Sequence, residues 1–262
     1  MGRISFIGLG LYDDNSMTLQ ALQACKEADV ILLEGYTSIL ATGSIKKLEE
    51  KIGKPITLLG REQVEKGDLL AGMDDKSIAF LVPGDPMTAT THIDLRIRSH
   101  DQGFETRVIH GTSALVAIPG LLGLQHYKFG RTVTIPFPQK GFKPKSPMEQ
   151  LVQNHTSGLH TLALLDIQAS EGRYMTANEG LRWLLDTAKE MKIEEINEDS
   201  LACVVVRAGA PTCKAKADRI GNLESLDYGP PLHSIVIPGR LHFMEAEALK
   251  RFADAPSNIR SD

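Results

Sequence analysis

The chain has 262 residues, 42% of them hydrophobic and 24% charged, with a formal net charge of −4. This balance excludes a disordered chain, which lacks the apolar content for a core, and shows no basic stripe of the kind that tracks nucleic-acid phosphates. No apolar run is long enough to span a bilayer and MGRISFIGLG carries no charged-then-apolar leader, so a cytoplasmic protein with no membrane and no direct nucleic-acid partner is expected.

RISFIG (3–8) reads as a first strand and runs into GLGLYDDN. A GLG turn after a strand invites a dinucleotide-binding reading, with Glu34 at the end of VILLE (30–34) about where a ribose-binding acid belongs. The position for the third glycine holds Asp13, followed by Asp14, and two carboxylates facing a pyrophosphate repel it. A nicotinamide oxidoreductase is therefore the remote alternative, and a cationic or zwitterionic small molecule suits the turn better.

MTLQALQACKEA (17–28) and GSIKKLEEKI (43–52) carry apolar residues at helical spacing, while PITLL (55–59), SIAFLV (77–82) and ETRVI (105–109) read as strands. IAFLVPGDP (78–86) stops its strand with two prolines around Gly84 and Asp85. Each proline forces the residue before it into an extended conformation, so a stiff elbow is expected. Pro86 would then open a helix with Asp85 as its N-cap, and free N–H groups on the elbow would face a ligand at the carboxyl end of a central strand. HGTSAL (110–115) starts a further helix at Ser113, whose N-terminus is a seat for a carboxylate.

After TVTIPFPQKGFKPKSP (132–147) the alternation loosens: HTLALLDI, LACVVVRA, TCKAKADRI and HSIVIPG are strand-like, and the helix around EGLRWLLDTAKE stands among them. The pattern predicts an α/β protein of two α/β lobes, 1–136 and 137–262, the first with a mainly parallel sheet, with a cleft between them. Thr176 and Glu179 form a T-x-x-E capping box, which explains YMTANE (174–179) structurally. Trp183 reads as core. Cys25, Cys203 and Cys213 lack metal-ligand spacing and read as buried thiols, and His92, His110 and His126 show no metal spacing either.

Seven segments taken together carry a resemblance: FIGLGLYD (6–13), PGDPMTATTHIDLRIR (83–98), HGTSAL (110–115), GLQHYKFG (123–130), YMTANE (174–179), RAGA (207–210) and PLHSIVIPGRLHFMEAE (231–247). In this order they resemble the archaeal, diphthine-forming members of the tetrapyrrole-methylase-like family of S-adenosylmethionine-dependent methyltransferases. The resemblance implies S-adenosyl-L-methionine folded into the cleft, no metal and a homodimer. It implies translation elongation factor 2 as substrate, methylated repeatedly at the amino group of a 3-amino-3-carboxypropyl-histidine. By position, the cofactor contacts implied are Leu11, Asp85, Thr88, Ser113, Ala114, Leu165, Ala208 and His233. Thr88 stands where an aliphatic residue is common, and Ala114 is smaller than the isoleucine expected. His233 would contact through backbone. A same-fold enzyme acting on a tetrapyrrole or ribosomal RNA is the nearer alternative. No catalytic residue is assigned, and with no obvious Asp–His pair in the sequence, solvent or a cleft carboxylate is expected to take the amine's proton.

Overall fold

The computed structural model describes residues 1–36, 38, 40, 44–65, 69–138 and 143–261. Grouped by contacts, the chain forms two compact units, Met1–Ala114 with Ile167–Arg173, and Leu115–Asp166 with Tyr174–Asp262. Among the described residues no helix is long and apolar enough to cross a membrane.

The first unit is built on strands β1 (Arg3–Gly8), β2 (Val30–Glu34), β3 (Thr57–Leu59), β4 (Ser77–Val82) and β5 (Glu105–Ile109). They lie in the order β3-β2-β4-β1-β5, and every pairing is parallel. Alternate residues feed opposite faces. Ile4, Phe6, Ile78 and Phe80 pack with Leu95 on one side, and Ile7, Ile31, Leu33 and Leu81 pack with Leu48 on the other. Burial on both faces is why these strands read as continuous apolar runs. Helices α1 (Leu19–Glu27), α2 (Ser44–Ile52), α3 (Arg61–Glu65) and α4 (His92–Asp101) follow the first four strands. Thr18 caps α1 by accepting the Ala21 N–H at 3.1 Å. The chain leaves β1 toward β2 on one side and leaves β4 toward β5 on the other, so the sheet reverses direction between β4 and β1. Parallel sheets open their ligand crevice beside such a reversal, at the carboxyl ends of the strands.

The helix expected at Pro86 does not start there. The Asp85 carboxylate takes the Met87 N–H at 2.9 Å and closes a local turn, and Ala89 stands at φ 55°, in the left-handed region. A right-handed helix cannot run through that residue, and α4 begins at His92.

The second unit holds most of α5 (Ala114–Leu122), then β6 (Val133–Ile135), α6 (Ser146–Thr156) and β7 (Thr161–Leu165). The short strands β8 (Ile167–Gln168) and β9 (Arg173–Tyr174) precede α7 (Ala177–Met191), β10 (Leu201–Val206), β11 (Lys214–Arg219), α8 (Ile220–Leu223), β12 (His233–Ile237) and α9 (Phe243–Phe252). Its five-stranded sheet runs β11-β10-β12-β7-β6, antiparallel except for the parallel pair β6 and β7. Because β6 is hydrogen-bonded along β7, residues 115–136 group with this unit, and 136/137 lies inside it. Of the proline-rich stretch expected to divide the lobes, 139–142 lie outside the described residues. Ile135, Met148, Leu151, Leu184, Val204 and Ile235 form the core, with Trp183 buried among them as the sequence suggests. Cys25 and Cys203 are fully buried, and burial pushes the Cys25 thiol up to about 12.

Candidate functional site

At the carboxyl ends of β4, β1 and β5 three glycines let backbone touch backbone. A Cβ on Gly8 would lie 2.4 Å from the Gly111 nitrogen and 2.6 Å from the Gly84 oxygen; one on Gly111 would lie 2.3 Å from that same oxygen. No side chain fits there, so the loops after β4 and β5 meet across the end of β1. Gly10 and Gly84 add a reciprocal pair, the Gly10 N–H donating to the Gly84 oxygen at 3.1 Å and the Gly84 N–H to the Gly10 oxygen at 2.6 Å. Both glycines adopt φ 78°. A Cβ at Gly84 would meet nothing within 4 Å, so its α-carbon borders open space that a ligand can use.

Backbone contacts brace the elbow, and fewer of its N–H groups are free than the sequence suggests. Gly84 gives its N–H to Gly10, Met87 gives its own to Asp85, and the two prolines have none. Asp85 organises what remains. One carboxylate oxygen accepts from Met87 N–H and from the Thr88 hydroxyl at 3.0 Å, and the other meets His110 Nδ1 at 2.7 Å. Burial alone would push the Asp85 carboxyl up, but the hydrogen bonds from Met87, His110 and Thr88 outweigh it and hold the group below its ordinary value.

Nearby, the two aspartates of the glycine turn have different fates. Asp13 accepts the Asn15 N–H at 2.9 Å in a local turn, whereas the buried Asp14 forms an ion pair with Lys51. The Lys51 hydrogen bond lowers the Asp14 pKa. One of the two carboxylates expected to stand bare is thus neutralised by Lys51.

The structure gathers five of the expected residues on the loops that follow adjacent strands. Leu11 follows Gly10, Asp85 and Thr88 follow β4, and the buried Ser113 leads into Ala114, the first residue of α5. The other three meet at one end of the second sheet. There antiparallel pairing sets Leu164 opposite Ser234 and Val206 opposite His233, so Leu165, Ala208 and His233 lie together. Leu165 is packed by side chain, since a Cβ on Gly180 of α7 would lie 2.7 Å from it. His233 accepts the Ala177 N–H through Nδ1 at 3.1 Å and donates from Nε2 to the Pro230 oxygen at 3.1 Å. One ring nitrogen holds the start of α7 and the other holds the Pro230 carbonyl, so both are spent within the fold. Burial pushes its pKa down.

Two residues of these loops have roles that sequence reasoning missed. The Arg207 guanidinium binds the Tyr228 and Pro230 carbonyls at 2.8 and 2.7 Å and staples the loops around Ala208. His110 joins Asp85 although 25 positions and an intervening strand separate them. No local pattern signals that pair; the glycine run at Gly8, Gly84 and Gly111 was its only indirect trace.

Residues 3–224 match the family of tetrapyrrole (corrin/porphyrin) methylases. The diphthine synthase of Methanothermobacter thermautotrophicus is 44% identical over 97% of this chain and 96% of its own. That of Methanocaldococcus jannaschii is 47% identical over 93% of this chain and 96% of its own. A crystal structure of diphthine synthase superimposes with a TM-score of 0.87 at 36% identity, covering 97% of both chains.

Proposed function

The chain belongs to the tetrapyrrole methylase family and, within it, groups with the diphthine synthases, and from that footing we propose that it methylates translation elongation factor 2. The acceptor is the amino group of a 3-amino-3-carboxypropyl-histidine, methylated repeatedly to diphthine, with S-adenosylmethionine as donor. The observation that carries this reading is the glycine seam at the carboxyl ends of β4, β1 and β5, which leaves open space at Gly84 beside Asp85, Thr88 and Ser113.

The residues fit such a cofactor. The Thr90 hydroxyl in the same loop is buried without a partner among the described residues, so polar bonding capacity remains for a ligand. S-adenosylmethionine, when bound, supplies a sulfonium-activated methyl group for direct displacement by a neutral amine. Asp85, held ionised, adds negative potential that favours a sulfonium, and the α5 N-terminus behind Ser113 favours a carboxylate. Leu11, Ala114, Leu165, Ala208 and His233 are proposed as further contacts, largely through backbone. Positioning supplies much of the acceleration, since well-oriented partners gain on the order of 7 to 11 kcal/mol. We also propose a homodimer.

Incubating unmethylated elongation factor 2 with the protein and S-adenosylmethionine should add mass in steps of one methyl group. No increase would sink the proposal. Calorimetry should show S-adenosylmethionine and S-adenosylhomocysteine binding and no heat with NAD.

A further inference from the structure

Repeated methylation of an amine needs a proton removed each time, because only the neutral amine carries a lone pair. We propose that His110 is the proton acceptor for the substrate amine and that Asp85 is its positioning residue, an inference that rests on the methyltransferase reading above.

The geometry distinguishes His110 from the other hydrogen-bonded histidines among the described residues. An ionised carboxylate only accepts, so the 2.7 Å contact with Asp85 places the ring proton on Nδ1 and leaves Nε2 with its lone pair. The His110 side chain is 73% exposed, so that lone pair is reachable. His160 and His233 are the opposite tautomer: Nδ1 accepts a backbone N–H from Gly239 or Ala177, and Nε2 carries the proton toward Glu245 or Pro230. His242 likewise accepts the Met244 N–H through Nδ1. His92 does hold its Nδ1 against the Pro86 oxygen, but its Nε2 is buried. Among the described residues, His110 alone combines a hydrogen-bonded Nδ1–H with an accessible basic nitrogen.

Its position is set by the glycine seam. Gly111, the next residue, lies against Gly8 and Gly84, and Ser113 follows two residues later. His110 thus stands on the loop that leads to the proposed seat of the cofactor's carboxylate. In the step proposed, an N–H bond of the substrate ammonium breaks, its electron pair stays on the amine nitrogen, and the proton passes to His110 Nε2. The Asp85 carboxylate stabilises the resulting imidazolium, and the exposed ring releases the proton to solvent.

The test uses the full-length protein with elongation factor 2 as substrate and two independent readouts. In nitrogen NMR of the unliganded protein, His110 should show a protonated Nδ1 and a bare Nε2, and Asp85→Asn should weaken that preference. In kinetics, His110→Gln should lower kcat on the order of 100-fold or more with KM for both substrates little changed. The deficit should shrink as pH rises, and added imidazole should partly restore His110→Ala. An Nε2–H tautomer in the wild-type protein would overturn the proposal. So would His110→Gln methylating at the wild-type rate at every pH, which leaves the methyltransferase reading standing. A wild-type protein that adds no methyl group would overturn that reading, and this inference with it.

Discussion

Each unit of the molecule carries a carboxylate–histidine pair, and the two are built for opposite purposes. In the second unit His160 Nε2 meets Glu245 at 3.0 Å, with both side chains at most 1% exposed. Glu245 also accepts from the Gln125 N–H at 2.8 Å, the His242 N–H at 2.9 Å and the Lys128 ammonium. Burial works against its charge, but those four donors prevail and hold its pKa down at about 2. The other His160 nitrogen accepts the Gly239 N–H at 2.9 Å, so nothing in this knot is free to bind or react. In the first unit the carboxylate of Asp85 is buried as well, but its histidine faces solvent with one nitrogen unspent. The same pair of groups ties a fold when every valence is satisfied and makes a reactive site when one is left over.

Breaking the first knot should have the largest effect. Glu245→Ala strands Lys128, a buried histidine and two backbone donors, and should cost about 3 to 5 kcal/mol in denaturant unfolding. Gly8→Ala comes next: its Cβ would push the Gly84 and Gly111 loops apart, costing about 1 to 3 kcal/mol. This substitution should also disrupt the Asp85–His110 contact, visible as loss of the fixed His110 tautomer. Thr176→Ala removes the α7 cap that accepts the Glu179 N–H at 3.2 Å, and should cost about 1 kcal/mol with little effect on turnover per folded molecule. His110→Gln removes one of the three hydrogen bonds to the buried Asp85 carboxylate and should cost about 0.5 to 1 kcal/mol, small beside its effect on rate.

Acid should separate the pairs further. His92, His160 and His233 all have pKa values lowered from 6.5, first of all by burial. The unfolded chain therefore takes up their protons before the folded one does. Their contribution is fully present above pH 6.5 and is lost progressively as pH falls below it. Glu245, lowered from 4.5 to about 2, adds stability that is present above 4.5 and lost as pH falls toward 2. Thermal melts from pH 7 down to pH 3 should show a decline starting near 6.5. In Glu245→Ala, the part below 4.5 should be flatter.

Much of this was legible along the chain. RISFIG, SIAFLV and LACVVVRA became β1, β4 and β10 because continuous apolar runs of that length suit strands covered on both faces, as these three are. The Thr176–Glu179 capping box formed as its spacing requires, since both partners lie within one helical turn. Less legible were features that depend on a competitor elsewhere. Asp85 looked like a helix cap, yet the helix waits until His92 because the same carboxylate closes a tighter turn and Ala89 is left-handed. Asp14 looked like a bare charge until Lys51, 37 positions on, neutralised it.

The sequence by itself determined the α/β class, the main strands, the caps and the glycines, because each follows from periodicity or from contacts within a few residues. Only the tertiary structure decided which carboxylate meets which histidine. Asp85 and His110 sit after β4 and β5, and what joins them is the missing side chain of Gly8 on the strand between. A contact across a strand carries no signature in spacing, because the order of strands in the sheet, and not their order in the chain, sets the distance.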